Sequence, residues 1–332
     1  MERINGYLDL TSVLNVKKSD NIDEFLAYLK ENNSSVKVVK FCSKHDEVIA
    51  YLKENDSSVK KVNFYSGQSD IFENSIDQFV FSFEYNGLTY YFKFDSLSNP
   101  LNELICYYIA KDMGLDSVFY DLAIVGGFTG NLSKDYKVKN AKYISGEEII
   151  NSVDKMVDAY KYNNLRGIWH CLEVYFKDYP NMQEIVAKLM MKIVKLFIFD
   201  LITGQEDRHE ENWGVVIYEN GDVDLQPIFD NSRSLEDDPE FVYYGLSLEG
   251  NSISENDKMV QEFLNVSSSE FSDILPNYLW VISEENINKI FKLIEEQINC
   301  EIPLNIKRYY INVFSINYNF FKNLLDDLKT RK

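Results

Sequence analysis

The chain has 332 residues, of which 45% are hydrophobic, and its formal net charge is −19 at pH 7. This length is typical of about two domains, and the apolar share is enough for a sizeable core. The acidic surface argues against nucleic-acid binding through bulk electrostatics, because it repels phosphate backbones. A phosphate-bearing ligand would therefore need a local cation, a metal ion or backbone N–H groups.

Cysteine use and the absence of targeting signals indicate the compartment. The four cysteines, Cys42, Cys106, Cys171 and Cys300, form no CxxC pair, and the chain has only three His, which argues against a structural zinc site. The N-terminus has no apolar signal region, and no run approaches the roughly 18 apolar residues of a membrane span. We expect a soluble, cytoplasmic protein that contacts no membrane.

An internal repeat occupies the N-terminal part of the chain. The segment DEFLAYLKENNSSVKVVKF, Asp23–Phe41, recurs with an offset of 23 residues as DEVIAYLKENDSSVKKVNF, Asp46–Phe64. Each copy predicts a short helix, a polar turn and a strand. We assign residues 1–66 to this duplicated unit, which is either a structural appendage or a module that binds a regulatory partner.

Residues 67–140 predict a strand-rich lobe that carries one helix. Alternating apolar residues flank Asn86 and Gly87, a strong signal for a two-residue hairpin. The segment NPLNELICYYIAKDMGL has the periodicity of a helix, and a second strand pair is predicted to turn at Gly126-Gly127.

Residues 141–332 predict a larger, mostly helical lobe. Ser145 and Glu148 have the spacing of a capping box, and NMQEIVAKLMMKIVKLFIFDLITG predicts a long buried helix. A hairpin is predicted at Asn220-Gly221, and two helices are predicted in the tail. The expected fold class is therefore α+β, with a strand-rich lobe followed by a helical lobe.

Polar residues with the spacing of a phosphotransferase site follow the long helix. Asp207 and Asn212 form the pattern D-x-x-x-x-N, the spacing of a kinase catalytic loop, and Asp230 comes directly after the predicted hairpin. Mg²⁺ prefers oxygen ligands from carboxylates, amides and substrate phosphates. Asn212, Asp230 and a triphosphate would supply them.

The same stretch resembles a known family. GQEDRHEENWG followed by PIFDNSRSL is similar to the catalytic and metal-binding segments of HipA-like serine/threonine kinases, a bacterial family with toxin–antitoxin members. It is more distantly similar to the D-R-H segment of phosphatidylinositol kinases. The resemblance implies a bilobal protein-kinase-like (HipA-type) fold, here with a small N-terminal α/β repeat appendage.

The resemblance also implies roles for the residues of this stretch. It implies that Asp207 is the catalytic base and that Asn212 and Asp230 are Mg²⁺ ligands. Arg208 and His209 would support the loop or stabilise developing charge. The implied activity is the ATP- and Mg²⁺-dependent phosphorylation of Ser or Thr hydroxyls on a protein.

Upstream segments extend the resemblance. YYFKFD resembles the strand whose lysine contacts ATP, here Lys93, and LNELICYYIAKDMGL resembles the following helix, whose Glu103 would position that lysine. No G-x-G-x-x-G motif precedes Lys93, so the candidate phosphate loop is YSGQSDIFENS, with Ser66 and Gly67 as cofactor-binding residues. Its serines are candidate autophosphorylation sites.

Other functions stay open at this point. The D-R-H order is compatible with a lipid or small-molecule kinase, and a non-catalytic kinase-like binding module is a third interpretation. The duplicated unit stands where HipA toxins have a different N-terminal region. The chain therefore resembles compact stand-alone members of the family, and neither a toxin role nor a HipB-like DNA-binding partner is implied.

Overall fold

Strands dominate the first half of the chain and helices the second. The computed structural model describes residues 3–10, 37–42, 78–95, 99–125, 127–153, 165–205, 207–235 and 278–330. Two compact units emerge from its contacts. The strand-rich unit comprises Met1–Leu104, Phe119–Asp135 and Glu296–Glu301, and the helical unit comprises Ile105–Val118, Tyr136–Glu295 and Ile302–Lys332.

The strand-rich unit is built on a seven-stranded sheet with the order β1-β2-β6-β7-β5-β4-β3. Only the β2–β6 pair is parallel, and the other neighbours are antiparallel. The strands are β1 (Arg3–Ile4), β2 (Tyr7–Asp9), β3 (Lys37–Cys42), β4 (Gln78–Tyr85), β5 (Leu88–Asp95), β6 (Tyr120–Val125) and β7 (Phe128–Lys134).

The β4–β5 hairpin sets the register at the centre of this sheet. Asn86 and Gly87 adopt φ angles of 52° and 74°, which the two-residue turn requires and which few other residues tolerate. The pairing places Phe81 opposite Phe92, and both side chains are completely buried, with ring centroids 5.3 Å apart. Lys93 lies on the opposite face of β5, because successive side chains of a strand alternate.

The first residues of the chain belong to the same sheet. Leu8 pairs with Ala123, and the Leu10 N–H donates to the Ile124 carbonyl over 2.9 Å. An ion pair of 2.7 Å joins Arg3 of β1 to Asp121 of β6, on either side of β2. Residues 3–10 are therefore structurally part of the strand-rich unit.

The helical unit contains most of the helices and a second, three-stranded sheet of order β10-β9-β8. Helices α1 and α5 begin or end in the strand-rich unit. The helices are α1 (Leu101–Asp112), α2 (Gly146–Asn151), α3 (Leu165–Tyr175), α4 (Met182–Thr203), α5 (Glu284–Ile298) and α6 (Leu304–Thr330), and the strands are β8 (Lys142–Ser145), β9 (Gly214–Ile217) and β10 (Val223–Leu225).

Helix α4 is the central element of the helical unit. Its residues Leu189, Phe199 and Ile202 are completely buried. The predicted burial holds for its C-terminal half, whereas Lys188 and Met191 in its N-terminal half are exposed. Helix α6 is tied to its C-terminal end, because the Asn317 Nδ2 donates to the Ile202 carbonyl over 2.7 Å. The end of α4 is thereby held rigidly where the polar stretch begins.

The predicted cap is confirmed, because the Ser145 Oγ accepts a hydrogen bond of 3.1 Å from the Glu148 N–H. The hairpin predicted around Asn220 is also present as β9–β10, but its turn differs from the prediction. The Gly221 N–H donates to the Tyr218 carbonyl, so Glu219 and Asn220 are the central residues of the turn. Residue 126 of the turn predicted between β6 and β7 lies outside the described residues. The strand predicted in the first repeat copy is β3, which pairs with β4. The remainder of the repeat lies outside the described residues, and the domain boundaries at 66 and 140 stay predictions. No helix in the described part of the chain is long and apolar enough to cross a membrane.

Candidate active site

The polar stretch begins at the C-terminal end of α4. Gly204 ends the helix in the left-handed conformation, at φ 62°, which glycine adopts without steric cost. The N–H groups of Gly204 and Gln205 both donate to the Asp200 carbonyl. The loop that carries Asp207 therefore leaves a fixed helix end.

Asp207, His209 and Asn212 form a single compact loop. The Asn212 Nδ2 donates to the Asp207 carbonyl over 2.8 Å, and the Asn212 N–H donates to the His209 carbonyl over 2.9 Å. The His209 ring lies against the loop backbone, with Nδ1 3.3 Å from the Glu211 nitrogen and Nε2 3.1 Å from the Asn212 Nδ2. A neutral imidazole accepts a hydrogen bond at one of these nitrogens only, and that bond gives His209 a part in shaping the loop.

The predicted base and the predicted metal ligand of this loop differ in solvent exposure. The Asp207 side chain is exposed, whereas Asn212 is buried. Because the Asn212 Nδ2 is engaged with the Asp207 carbonyl, the amide oxygen is the atom that Asn212 can offer to a cation. The loop thus combines an accessible carboxylate with an oriented amide oxygen.

Asp230 lies after β10 in a backbone conformation that few non-glycine residues adopt. Its φ of 58° is left-handed, and the residue is half-buried. The preceding backbone is anchored, because the Val118 N–H donates to the Ile228 carbonyl and the Ile228 N–H donates to the Asp116 carbonyl, each over 2.8 Å. The backbone that leads into Asp230 is therefore anchored.

The Gln205 side chain joins the loop of Asp207 to the Asp230 segment. Its Oε1 accepts a hydrogen bond of 3.1 Å from the Asp207 N–H, and its Nε2 donates to the Asp230 carbonyl over 2.8 Å. Gln205 is completely buried. Sequence reasoning missed this residue, although a polar side chain directly after a helix-ending glycine is a detectable signal.

Arg208 makes a second link between the same segments. Its Nε and Nη2 donate to the Asp200 carboxylate. Its Nη1 donates to the carbonyls of Asn212 and Phe229. Its Nη2 also donates to the Asn231 Oδ1. All five guanidinium N–H groups are thus engaged with protein acceptors. This geometry favours loop support over stabilisation of developing charge as the role of Arg208.

Asp200 is the charged partner of Arg208 inside the helical unit. Both side chains have no solvent exposure, and the Arg208 Nη2 lies 3.0 Å from the Asp200 Oδ1. Burial raises the pKa of the Asp200 carboxyl to about 6, and the charge and hydrogen bonds of Arg208 oppose that rise. Sequence reasoning missed Asp200 too; its signal is a lone acidic residue near the end of an apolar helix.

Lys93 and Glu103 both belong to the strand-rich unit. Asn131 is opposite Lys93 in the β5–β7 pairing, so their side chains share one face of the sheet. The Asn131 Nδ2 donates to the Pro100 carbonyl over 2.8 Å, which holds the start of α1 over that face. Glu103, in the first turn of α1, is completely buried. The predicted phosphate-loop residues Ser66 and Gly67 lie outside the described residues.

The donor set of the helical unit has the chemistry of a hard-cation site. Asn212 supplies an amide oxygen and Asp230 a carboxylate, both of which are ligands suited to Mg²⁺. The Ser232 Oγ lies 3.4 Å from the Asp230 Oδ1 and is a hydrogen-bond partner of this carboxylate. Among the described residues, no group of three or more His, Cys, Asp or Glu is placed to hold a metal. A cation here would therefore depend on ligand phosphates or water for its remaining coordination.

Comparisons with solved structures define the class of fold. No family model matches the chain, and no curated protein matches its sequence. The chain is similar to the proinflammatory kinase CtkA of Helicobacter pylori, with a TM-score of 0.51 and 16% identity over 75% of this chain and 95% of that chain. It is also similar to HipA of Shewanella oneidensis, solved with HipB and operator DNA, with a TM-score of 0.53 and 14% identity over 90% of this chain and 74% of that chain.

These likenesses confirm the predicted fold class, a protein-kinase-like α+β fold. More specifically, both similar structures support a relationship in fold to HipA-like kinases. At 14% to 16% identity the likeness concerns the fold alone.

Proposed function

We propose that this chain is an ATP- and Mg²⁺-dependent kinase that transfers the γ-phosphate to a Ser or Thr hydroxyl of a protein, itself included. The observation that carries the proposal is the network around Asp207, Asn212 and Asp230. Gln205 and Arg208 hold these three residues in one hydrogen-bonded assembly, although 17 residues separate Asn212 from Asp230 in the sequence.

Asp207 is the proposed catalytic base. Its side chain is exposed, so an incoming hydroxyl can reach it, while its backbone is fixed on both sides by Gln205 and Asn212. Catalysis of phosphoryl transfer depends mostly on such positioning, because the transition state demands little covalent chemistry from the protein. His209 and Arg208 act by keeping this loop in place.

Asn212 and Asp230 are the proposed ligands of Mg²⁺. When bound, the ion would neutralise the charge on the β- and γ-phosphates of ATP. Such local neutralisation matters in this protein, because its net charge of −19 repels free nucleotide.

Lys93 is the proposed contact to the ATP phosphates, with Glu103 as its positioning partner. A completely buried carboxylate requires an ionic or hydrogen-bonded partner. The Asn131–Pro100 hydrogen bond supports the assignment of Lys93, since it holds the first turn of α1 on the face of the sheet that carries this lysine. Ser66 and Gly67 are proposed to complete the phosphate contacts.

The proposed localisation and partners are those that the sequence predicts. We assign the protein to the cytoplasm, with an unidentified protein substrate and a regulatory partner that binds the N-terminal repeat. The fold likeness to CtkA and HipA, together with the site, supports a phosphotransferase.

The deciding experiment is incubation of the purified protein with Mg²⁺ and γ-labelled ATP, with generic acceptor proteins present. We expect label on Ser or Thr residues of the chain or of the acceptors, and none with Asp207→Asn. Label only on lipid or on a small-molecule acceptor would replace the protein-kinase assignment. Calorimetry that detects no binding of ATP with Mg²⁺ would instead favour a non-catalytic binding module.

A further inference from the structure

The structure assigns to Gln205 a positioning role that couples the proposed catalytic base to the proposed metal ligand; this inference rests on the proposed function. The Gln205 amide has one acceptor end and one donor end. The acceptor binds the Asp207 N–H and the donor binds the Asp230 carbonyl. One rigid planar group therefore fixes the backbone of both residues.

The location of Gln205 makes this link stiff. Its side chain is completely buried, and its own N–H is bonded to the Asp200 carbonyl over 2.9 Å. Asp200 in turn holds Arg208 through its side chain. Gln205 thus connects the fixed end of α4 to the backbone of Asp207 and Asp230.

The link has a particular consequence at Asp230. A non-glycine residue at φ 58° is held in a sparsely populated conformation, which persists only where its surroundings enforce it. The Gln205 Nε2 donates directly to the carbonyl of this residue. Loss of that bond allows the Asp230 backbone to relax, and its carboxylate then moves away from the position that suits the cation.

Gln205→Met tests the inference, because it keeps the length of the side chain and removes both hydrogen bonds. We expect a 10- to 100-fold lower kcat, as is typical when an outer partner of a metal ligand is lost, and a similarly higher Mg²⁺ concentration for half-maximal activity. Calorimetry with the Mg²⁺ complex of a non-hydrolysable ATP analogue should show weaker binding. Gln205→Asn, whose side chain is too short to reach both partners, should show the same defects.

Gln226→Met is the matched control. Gln226 is also a buried glutamine; its Nε2 donates hydrogen bonds to the Ile144 and Val215 carbonyls, and its Oε1 accepts one from the Tyr136 hydroxyl. This variant should lower the Tm and leave the Mg²⁺ dependence unchanged. The inference fails if a folded Gln205 variant keeps the wild-type kcat, Mg²⁺ dependence and analogue affinity. It also fails if both Gln205 variants are unfolded, since the role is then structural. Wild-type protein without any phosphotransfer would instead overturn the proposed function.

Discussion

Arg208 and Asp200 form an ion pair with no solvent exposure at the end of helix α4, and the same guanidinium reaches the backbone on both sides of the candidate site. A buried charge is stable only where an opposite charge and hydrogen bonds satisfy all of its donors or acceptors. The pair therefore makes the geometry of the site depend on one residue of the helix that precedes it.

Removal of Asp200 should destabilise the whole protein. Asp200→Ala leaves the Arg208 charge buried without its counter-ion, which costs on the order of 3–5 kcal/mol in the free energy of unfolding. Chemical denaturation followed by circular dichroism measures this loss. The control is Asp224→Ala, whose carboxylate pairs with Lys192 over 2.6 Å near the surface and should cost less than about 1 kcal/mol. Equal losses in the two variants would contradict a special role for the buried pair.

The raised pKa of Asp200 predicts opposite pH dependences for stability and activity. Between its ordinary value of 3.8 and about 6, the native state holds a proton that the unfolded state has lost. The contribution of Asp200 to the free energy of unfolding therefore falls as pH rises through this window. Activity should rise over the same window, because the ionised carboxylate binds Arg208 more strongly.

Rates of phosphate transfer and denaturation curves, each measured between about pH 4.5 and about pH 7.5, check this prediction. Asp200→Asn should lose the activity change near pH 6 and show a low, flatter profile. A wild-type rate that is constant across the window would refute the link between Asp200 and the site.

Substitution of the proposed chemical groups should abolish phosphate transfer without unfolding the protein. Asp207→Ala and Asp230→Ala remove the base and a metal ligand, and we expect rate losses on the order of 10²–10⁴-fold. Asp222→Ala is the control, because this aspartate is exposed in the β9–β10 turn. Full activity in either site variant, with a native circular dichroism spectrum, would show that the site is wrongly assigned.

Lys93 should govern the affinity for nucleotide. Lys93→Met removes the proposed phosphate contact, and we expect at least a tenfold higher KM for ATP, which corresponds to about 1.4 kcal/mol. Lys134→Met provides the comparison, because Lys134 is an exposed lysine on the neighbouring strand β7. An unchanged KM for Lys93→Met would assign the phosphate contact to another residue.

Local signals in the sequence were sufficient for many of the elements. Asn86 and Gly87 tolerate positive φ, so the β4–β5 hairpin could be predicted from two residues. Strands β1 and β2 could not be predicted, because segments of two and three residues are too short to show a periodicity. The parallel pairing of Leu8 with Ala123 also joins residues that are far apart in the chain.

For the site too, residue spacing could be predicted from the sequence, whereas contacts between distant segments could not. The spacing of Asp207 and Asn212, with Asp230 after a hairpin, was enough to propose its chemistry. The sequence carries a signal that Gln205 and Asp200 are special, but their roles could not be assigned from it, because their contacts depend on where the segment after β10 meets the end of α4. Their partners at Asp230 and Arg208 become visible only in three dimensions.

The pairing of β2 with β6 has a practical consequence for work with shortened proteins. Deletion of the first ten residues would remove β1 and β2 and leave one side of β6 without hydrogen-bonding partners. Deletion of the repeat would also remove β3 and expose the edge of β4. Bare strand edges of this kind associate with other chains. A shortened protein should therefore retain both the peptide up to Leu10 and strand β3, because aggregation would otherwise be mistaken for loss of the repeat's function.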